Sequence, residues 1–189
     1  MFIQTEQTPN PEVLKFLPGQ EVMGEGSREF RDEGEASASP LAEALFAIEG
    51  VRRVFFGPDF VTVSKDPEVD WSQMKAPILA AVMDHYTSGA PLLKDAGGAG
   101  GHDDSEAYEG ETAQIVAEIK DLLDTRIRPA VAQDGGDIIF KGFDGATGIV
   151  ALHLQGSCAG CPSSAMTLRN GIENMLRHYV PEVTAVEAV

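Results

Sequence analysis

Between Ser88 and Gly110 the chain carries almost nothing to bury: Gly97-Gly98-Ala99-Gly100-Gly101 leads directly into His102-Asp103-Asp104-Ser105-Glu106. Glycines multiply the backbone conformations open to such a segment, and its charged side chains gain nothing from leaving water, so it reads as a flexible acidic linker. A structureless loop of that length is uncommon inside one compact fold. The 189 residues are therefore expected to form a first domain over 1–87 and a second over 111–189, joined by a linker over 88–110. Each domain has the size of a small unit with a modest core.

In the first domain, Phe2 to Glu6 and Val13 to Leu17 read as strands around a turn at Thr8-Pro9-Asn10-Pro11. Gly24 to Ser39 is polar and glycine-rich and is expected to be loop. Leu41, Ala44, Leu45 and Ile48 then recur at helical spacing, with Ser39 suited to cap the helix, Pro40 to its first position and Gly50 to end it. Val51 to Phe56 and Phe60 to Ser64 flank Gly57-Pro58-Asp59 as a hairpin. Trp71, Met74, Ile78, Ala81, Val82 and His85 mark a second helix.

The second domain opens with Ile115, Ile119, Leu122 and Leu123 on one helical face, and Pro129 breaks or restarts that helix after Arg128. Asp134-Gly135-Gly136-Asp137 reads as a turn. Strands are expected over Ile138 to Phe143 and Ile149 to Gln155; in the latter Val150, Leu152 and Leu154 alternate with Ala151, His153 and Gln155, which buries one face. Ala165, Leu168, Ile172, Met175, Leu176 and Tyr179 trace a helix past Cys161, and Val183 to Val186 add a last strand. The fold class is α+β, with the order α-β-β-α-β in the second domain.

Thirty acidic residues against fourteen basic ones leave a formal charge of −16. That balance repels phosphate backbones and anionic lipid surfaces, so neither nucleic acid nor a membrane is an expected partner. No apolar run approaches the roughly 18 residues a membrane helix needs. Met1-Phe2-Ile3-Gln4-Thr5-Glu6 also lacks a basic stretch followed by an apolar one, and the cytoplasm is the expected compartment.

The chain has two cysteines, Cys158 and Cys161, within Gly156-Ser157-Cys158-Ala159-Gly160-Cys161-Pro162-Ser163-Ser164. This segment joins a predicted strand to a predicted helix. Unpaired N–H groups and the helix dipole make that junction electropositive, which lowers thiolate pKa values and favours a negatively charged ligand. Gly156 and Gly160 permit close backbone approach, and Pro162 gives up only an N–H that a first helical turn leaves unpaired.

Four readings compete for the pair. A thioredoxin-like dithiol also occupies a strand-to-helix junction, though it belongs with a preceding βαβ pattern. A structural zinc site needs four ligands, and His85, His102, His153 and His178 lack ligand-like spacing to the cysteines. A disulfide across so short a loop would be strained. Iron–sulfur centres take about four cysteines, so two chains would meet around one cluster, making a dimer when loaded. On the residues alone, metal-free dithiol chemistry and zinc shared with a partner stay open, as does the choice between [2Fe-2S] and [4Fe-4S].

The stretch Gln155 to Ser164, with Leu122-Leu123-Asp124-Thr125-Arg126-Ile127-Arg128-Pro129 and Gln133-Asp134-Gly135-Gly136-Asp137 upstream, resembles the C-terminal domain of NifU and its NFU-type relatives. Thr8-Pro9-Asn10-Pro11 with Leu14-Lys15-Phe16, and Phe55-Phe56-Gly57-Pro58-Asp59-Phe60-Val61-Thr62-Val63, resemble the N-terminal domain of NFU-type scaffolds. The resemblance implies a scaffold or carrier, and the lack of a recognisable catalytic constellation in the sequence makes a non-enzyme the expectation. Cys158 and Cys161 would bind iron as a [4Fe-4S] cluster bridging two subunits. Upstream cluster-assembly proteins would supply the cluster, and apo iron–sulfur proteins would accept it.

Other residues carry weaker signals. Asp134 and Asp137 are too few for a hard-metal site and are assigned to turn chemistry. His153 on the polar face of its strand is expected to meet solvent. Arg126, Arg128 and Arg169 are assigned to local packing or surface pairing, and no nucleophile–base or phosphate-binding pattern is present.

Overall fold

The computed structural model describes residues 2–94, 108–157 and 162–189, without the side chains of 162–165. The chain forms two compact units, Met1–Gly101 and His102–Val189, each with mixed helix and sheet.

The first unit is built on a five-stranded antiparallel sheet of order β1-β2-β5-β4-β3. Its strands are β1 (Gln4–Gln7), β2 (Val13–Leu17), β3 (Arg28–Phe30), β4 (Val51–Phe56) and β5 (Val61–Lys65). Its helices are α1 (Glu33–Ala36), α2 (Pro40–Phe46) and α3 (Trp71–Ser88). One sheet face, through Leu14, Phe16, Val54, Phe56, Val61 and Val63, packs with Leu41 and Leu45 of α2 and Met74, Ile78 and Val82 of α3. The Thr8–Pro11 turn is knitted by its own side chains, Thr8 Oγ1 donating to the Val13 carbonyl at 3.0 Å and Asn10 Oδ1 accepting from the Glu12 N–H at 3.0 Å. Trp71 Nε1 donates to the Pro11 carbonyl at 3.0 Å, tying the start of α3 to that turn.

Two expectations for this unit change. The segment Gly24 to Ser39 is not wholly loop: it contains β3 and α1. The buried Phe30 ring meets Phe56 edge-on at 5.0 Å, and Asp32 accepts from the Glu35 N–H while Glu35 reaches back to the Arg31 N–H. The helix after Ser39 stops at Phe46 and does not run to Gly50. Its start is as expected, with Pro40 in the first turn and Ser39 Oγ accepting from the Ala42 N–H at 3.2 Å. Ser39 is completely buried, so Ser39→Ala is expected to cost about 1 kcal/mol, seen as a lower urea midpoint of the first unit at unchanged slope.

In the second unit, α4 (Glu111–Leu122) passes into a π-helical turn (Leu123–Ile127) and then α5 (Arg128–Gln133). The strands β6 (Gly136–Asp144), β7 (Ile149–Gly156) and β8 (Ala185–Ala188) form a sheet of that order, β6 antiparallel and β8 parallel to β7. The helix α6 (Pro162–Tyr179) connects β7 to β8. Val116, Ile119, Leu123, Ile127 and Val131 meet Ile138, Val150, Leu152 and Val186 of the sheet and Ile172 and Leu176 of α6 in one core. The element order matches the expectation, although the last strand lies two residues later than read.

Both cores reach into the span assigned to the linker. Leu92 and Leu93 pack on the first core, and the Lys94 N–H donates to the Ala38 carbonyl at 2.8 Å. Tyr108 packs on the second core and accepts from the Phe143 N–H at 2.8 Å. Residues 95–107, which hold the glycine run, lie outside the described residues.

Candidate metal centre

Cys158 and Cys161, the expected ligands, lie outside the described residues together with Ala159 and Gly160. What the structure defines is the chain on each side of them. β7 delivers the backbone to Ser157, and α6 begins at Pro162, directly after Cys161 in sequence. An 18-residue helix starting there presents its positive dipole end and its unpaired N–H groups toward its N-terminus, where thiolates and an anionic cluster gain most.

The β7 side is held by several independent bonds. β6 and β7 pair from Asp144↔Ile149 to Gly136↔Gly156, so the ladder runs to the last residue before Ser157. Gly156 then takes a φ of +69°, a left-handed conformation that favours glycine. Ser157 is only 3% exposed. Its N–H donates to the Gly135 carbonyl at 3.2 Å and its hydroxyl to the Asp134 carbonyl, so both donors are spent on the turn between α5 and β6.

That turn is braced in its own right. The Asp134 and Gly135 N–H groups donate back to the Val131 and Ala132 carbonyls at 3.1 and 3.0 Å, closing the end of α5. Beyond the turn, the Asp137 carboxylate, 6% exposed as a residue, accepts from Arg128 Nε at 2.9 Å and Nη2 at 3.0 Å, and from the Ile138 N–H at 2.8 Å. Arg128 Nη1 also donates to Asp124 at 3.1 Å. Hydrogen bonding to Asp137 is the largest of the influences that raise the Arg128 pKa above its ordinary value.

The π turn explains how Arg128 comes to face Asp137. The Arg128 N–H bonds to the Leu123 carbonyl, five residues back, and one extra residue in a helical turn rotates everything after it by roughly 100°. Pro129 follows in the first turn of α5, where its missing N–H is least costly.

The earlier residue assignments now divide. Asp137 was assigned to turn chemistry, but the structure places it on β6 as the buried half of an ion pair. Asp134 contributes its backbone carbonyl to the Ser157 contact. His153 Nδ1 lies 2.6 Å from the Val189 carbonyl, a contact its strand position did not indicate. Arg126 stacks over the Tyr179 ring at 5.0 Å, in keeping with local packing. Ser157 and the Arg128–Asp137 pair were missed as parts of one assembly. Their only sequence signal is the closeness of Arg128-Pro129, Asp134-Gly135-Gly136-Asp137 and Gly156-Ser157 once β6 and β7 are paired.

Comparison with known proteins gives this junction its context. Residues 3–89 match the family model described as "Scaffold protein Nfu/NifU N terminal", and residues 119–187 match the "NifU-like domain". Among curated relatives, the Arabidopsis thaliana "NifU-like protein 5, mitochondrial" is 55% identical over 187 residues, covering 99% of this chain and 67% of its own length. The Homo sapiens "NFU1 iron-sulfur cluster scaffold homolog, mitochondrial" is 54% identical over 190 residues, covering 100% of this chain and 72% of its own. A solution NMR structure of a NifU-like protein from Saccharomyces cerevisiae is 29% identical, covering 50% of this chain and 86% of that one with a TM-score of 0.46. The expected cytoplasmic location is overturned: these plant and human relatives are named mitochondrial, as is the Drosophila ananassae relative at 52% identity. The expectation of a non-enzyme agrees with the naming of the human and Drosophila ananassae relatives as scaffold homologs. With two family models matched in chain order and more than half of its residues shared with relatives along its whole length, the chain belongs to the NFU-type family of iron–sulfur cluster scaffolds.

Proposed function

We propose that this protein is a mitochondrial carrier that holds a [4Fe-4S] cluster on Cys158 and Cys161, shared between two copies of the chain, and passes it to apo iron–sulfur proteins. The observation that carries this reading is kinship along the whole of this chain to a relative named as an iron–sulfur cluster scaffold homolog, joined to a cysteine pair that in sequence follows the braced end of β7 and precedes α6. Each chain supplies two thiolates, and a cluster needs about four ligands, so loading brings two copies together. Transfer is ligand exchange, with acceptor thiolates replacing those of the carrier one at a time and no net redox change in the cluster. Upstream assembly proteins supply the cluster. The second domain does the binding, while the first domain and the linker set partner choice and reach.

The test is anaerobic reconstitution of the reduced protein with iron and sulfide, followed by size-exclusion chromatography with visible absorbance and iron analysis. A coloured dimer with about two irons per chain is the expected result, and about one iron per chain would replace the four-iron assignment with a two-iron one. A colourless monomer that reduces disulfides would overturn the carrier reading in favour of dithiol chemistry.

A further inference from the structure

We propose that the outer edge of β1 is a docking site for an extended, positively charged segment of a partner protein, which pairs with Gln4–Gln7 as a sixth strand of the first sheet. Such a site gives the first domain's part in partner choice a surface, and in that purpose it rests on the carrier reading above. The binding itself involves neither cysteine and no cluster.

A sheet edge offers a row of unpaired N–H and C=O groups, and proteins blunt it by shortness, a bulge, lysine, proline or a cover. Of the four edges formed by the described strands, three are blunted. β3 is only three residues long. β6 has a register shift between Phe140 and Gly142, with Lys141 at the irregularity, and the Tyr108 hydroxyl takes the Phe143 N–H at 2.8 Å. On β8 the Val186 N–H donates to Glu173 Oε2 at 3.1 Å. β1 has none of these devices. Its pairing with β2 is unbroken from Gln4↔Leu17 to Gln7↔Leu14, its four residues are all exposed, and they include no lysine or proline. Among the described residues, no backbone hydrogen bond from another element reaches its outer side.

A hollow lies at each end of this edge. One, of about 860 Å³, is lined by Phe2, Gln4, Leu17, Glu21, Pro58 and Asp59, with Phe2 79% exposed. The other, of about 200 Å³, is lined by Gln7, Thr8, Pro11, Leu14 and Trp71 among others. Gln4 pairs with Leu17 and Gln7 with Leu14, so the two hollows border opposite faces of the sheet. Side chains of an added strand alternate in the same way, and two of them three residues apart enter one hollow each. Backbone bonds then supply affinity and the hollows selectivity. Charge decides the occupant. Glu21 and Asp59 are the charged residues of the larger hollow, the Glu6 side chain on the edge is 52% exposed, and the formal charge of the chain is −16. Lys15, 3.3 Å from Glu6, is buried and turned over the Phe60 ring at 4.7 Å. A second copy would bring two such negative charges together, whereas a strand bearing lysine or arginine is drawn in.

The experiment records backbone-amide NMR spectra of the full, reduced, metal-free chain during titration with three synthetic peptides of about seven residues, the length of an ordinary strand. One alternates lysine with valine, the second has glutamate for lysine, and the third is the lysine peptide with all its backbone nitrogens methylated. The lysine peptide is expected to shift the amide signals of Gln4–Gln7 with a dissociation constant below about 1 mM. The glutamate peptide should bind at least about tenfold more weakly. The methylated peptide cannot donate to the edge and should leave the β1 signals in place. A chain carrying both Glu21→Lys and Asp59→Lys should bind the lysine peptide about fivefold more weakly than the native chain. Equal binding of the methylated peptide, shifts confined to acidic surface away from β1, or no shift at β1 would overturn the site. Equal binding of the glutamate peptide would overturn the positively charged occupant. Dimers of the peptide-free chain that perturb the same amides as concentration rises would replace the partner with a second copy. Because no cluster is loaded, a failed cluster reconstitution would sink the carrier reading and leave this result standing.

Discussion

Cys158→Ala, and separately Cys161→Ala, should bring the iron of the reconstituted protein from about two per chain to background and leave the chain eluting as a monomer. The size of the effect follows from symmetry. In a cluster bridged by two copies each substitution is present twice, so one mutation removes two of four thiolates. Two remaining thiolates, one from each copy, leave half the coordination sphere open to water and chelator. Serine at either position keeps an oxygen of similar size but a much poorer soft-metal ligand, so Cys158→Ser should bind little more iron than Cys158→Ala. Chromatography beside the iron assay separates two origins of the dimer. If Cys158→Ala still elutes as a dimer without iron, protein contacts hold the copies together; if it elutes as a monomer, the cluster is the bridge. Retention of the visible spectrum in both alanine variants would show that the cluster sits elsewhere on the chain, and the carrier reading would lose its site.

The parts of the fold that were legible in the sequence are those where local chemistry and the tertiary environment agree. β2 matches its expected bounds, Val13–Leu17, because it is an apolar-rich run behind a proline turn. Ser39-Pro40 marks the start of α2 because cap and first-turn preferences are backbone properties that need no distant partner. β3 was not legible, since three residues, Arg28–Phe30, are too few to show alternation and only Phe30 reports the core. Helical spacing could place α4 and Pro129 could mark a restart, but the π turn between them is a one-residue change in hydrogen bonding that leaves no compositional trace. The site divides along the same line. The cysteine pair is a signal carried by the sequence alone and lies outside the described residues, whereas Ser157, Asp134, Asp137 and Arg128 come together only through pairing across 23 and 9 residues of sequence. The cytoplasmic expectation was drawn from the opening residues, and it is corrected by relatives that are named mitochondrial.

Gly148→Ala is expected to be among the most destabilising single-atom additions the second unit can receive, at about 3 kcal/mol. Gly148 lies at the turn between β6 and β7 with a φ of +73°, a backbone region that costs an alanine about 1–2 kcal/mol. Space adds to that. A Cβ there would stand 2.4 Å from the Glu182 carbonyl oxygen and within 3.0 Å of two Thr184 side-chain atoms. The backbone has little room to yield, because the Gly148 N–H donates to the Asp144 carbonyl at 2.7 Å and its carbonyl accepts from the Thr184 N–H at 2.8 Å. Moving away from Glu182 would strain the turn on one side and the approach to β8 on the other. Gly89→Ala separates the two causes, since Gly89 is left-handed, with a φ of +67° and a ψ of 18°, but has open space where its Cβ would be, so it should cost only the backbone share of about 1–2 kcal/mol. Calorimetry of the unit that carries each substitution would measure both. Equal costs would mean that the chain near Glu182 gives way freely. A clear excess for Gly148→Ala would show that the turn and the start of β8 are locked together. Because Gly148 sits at the opposite end of the ladder from Gly156, that loss of stability should leave the rate of cluster release unchanged while the domain stays folded.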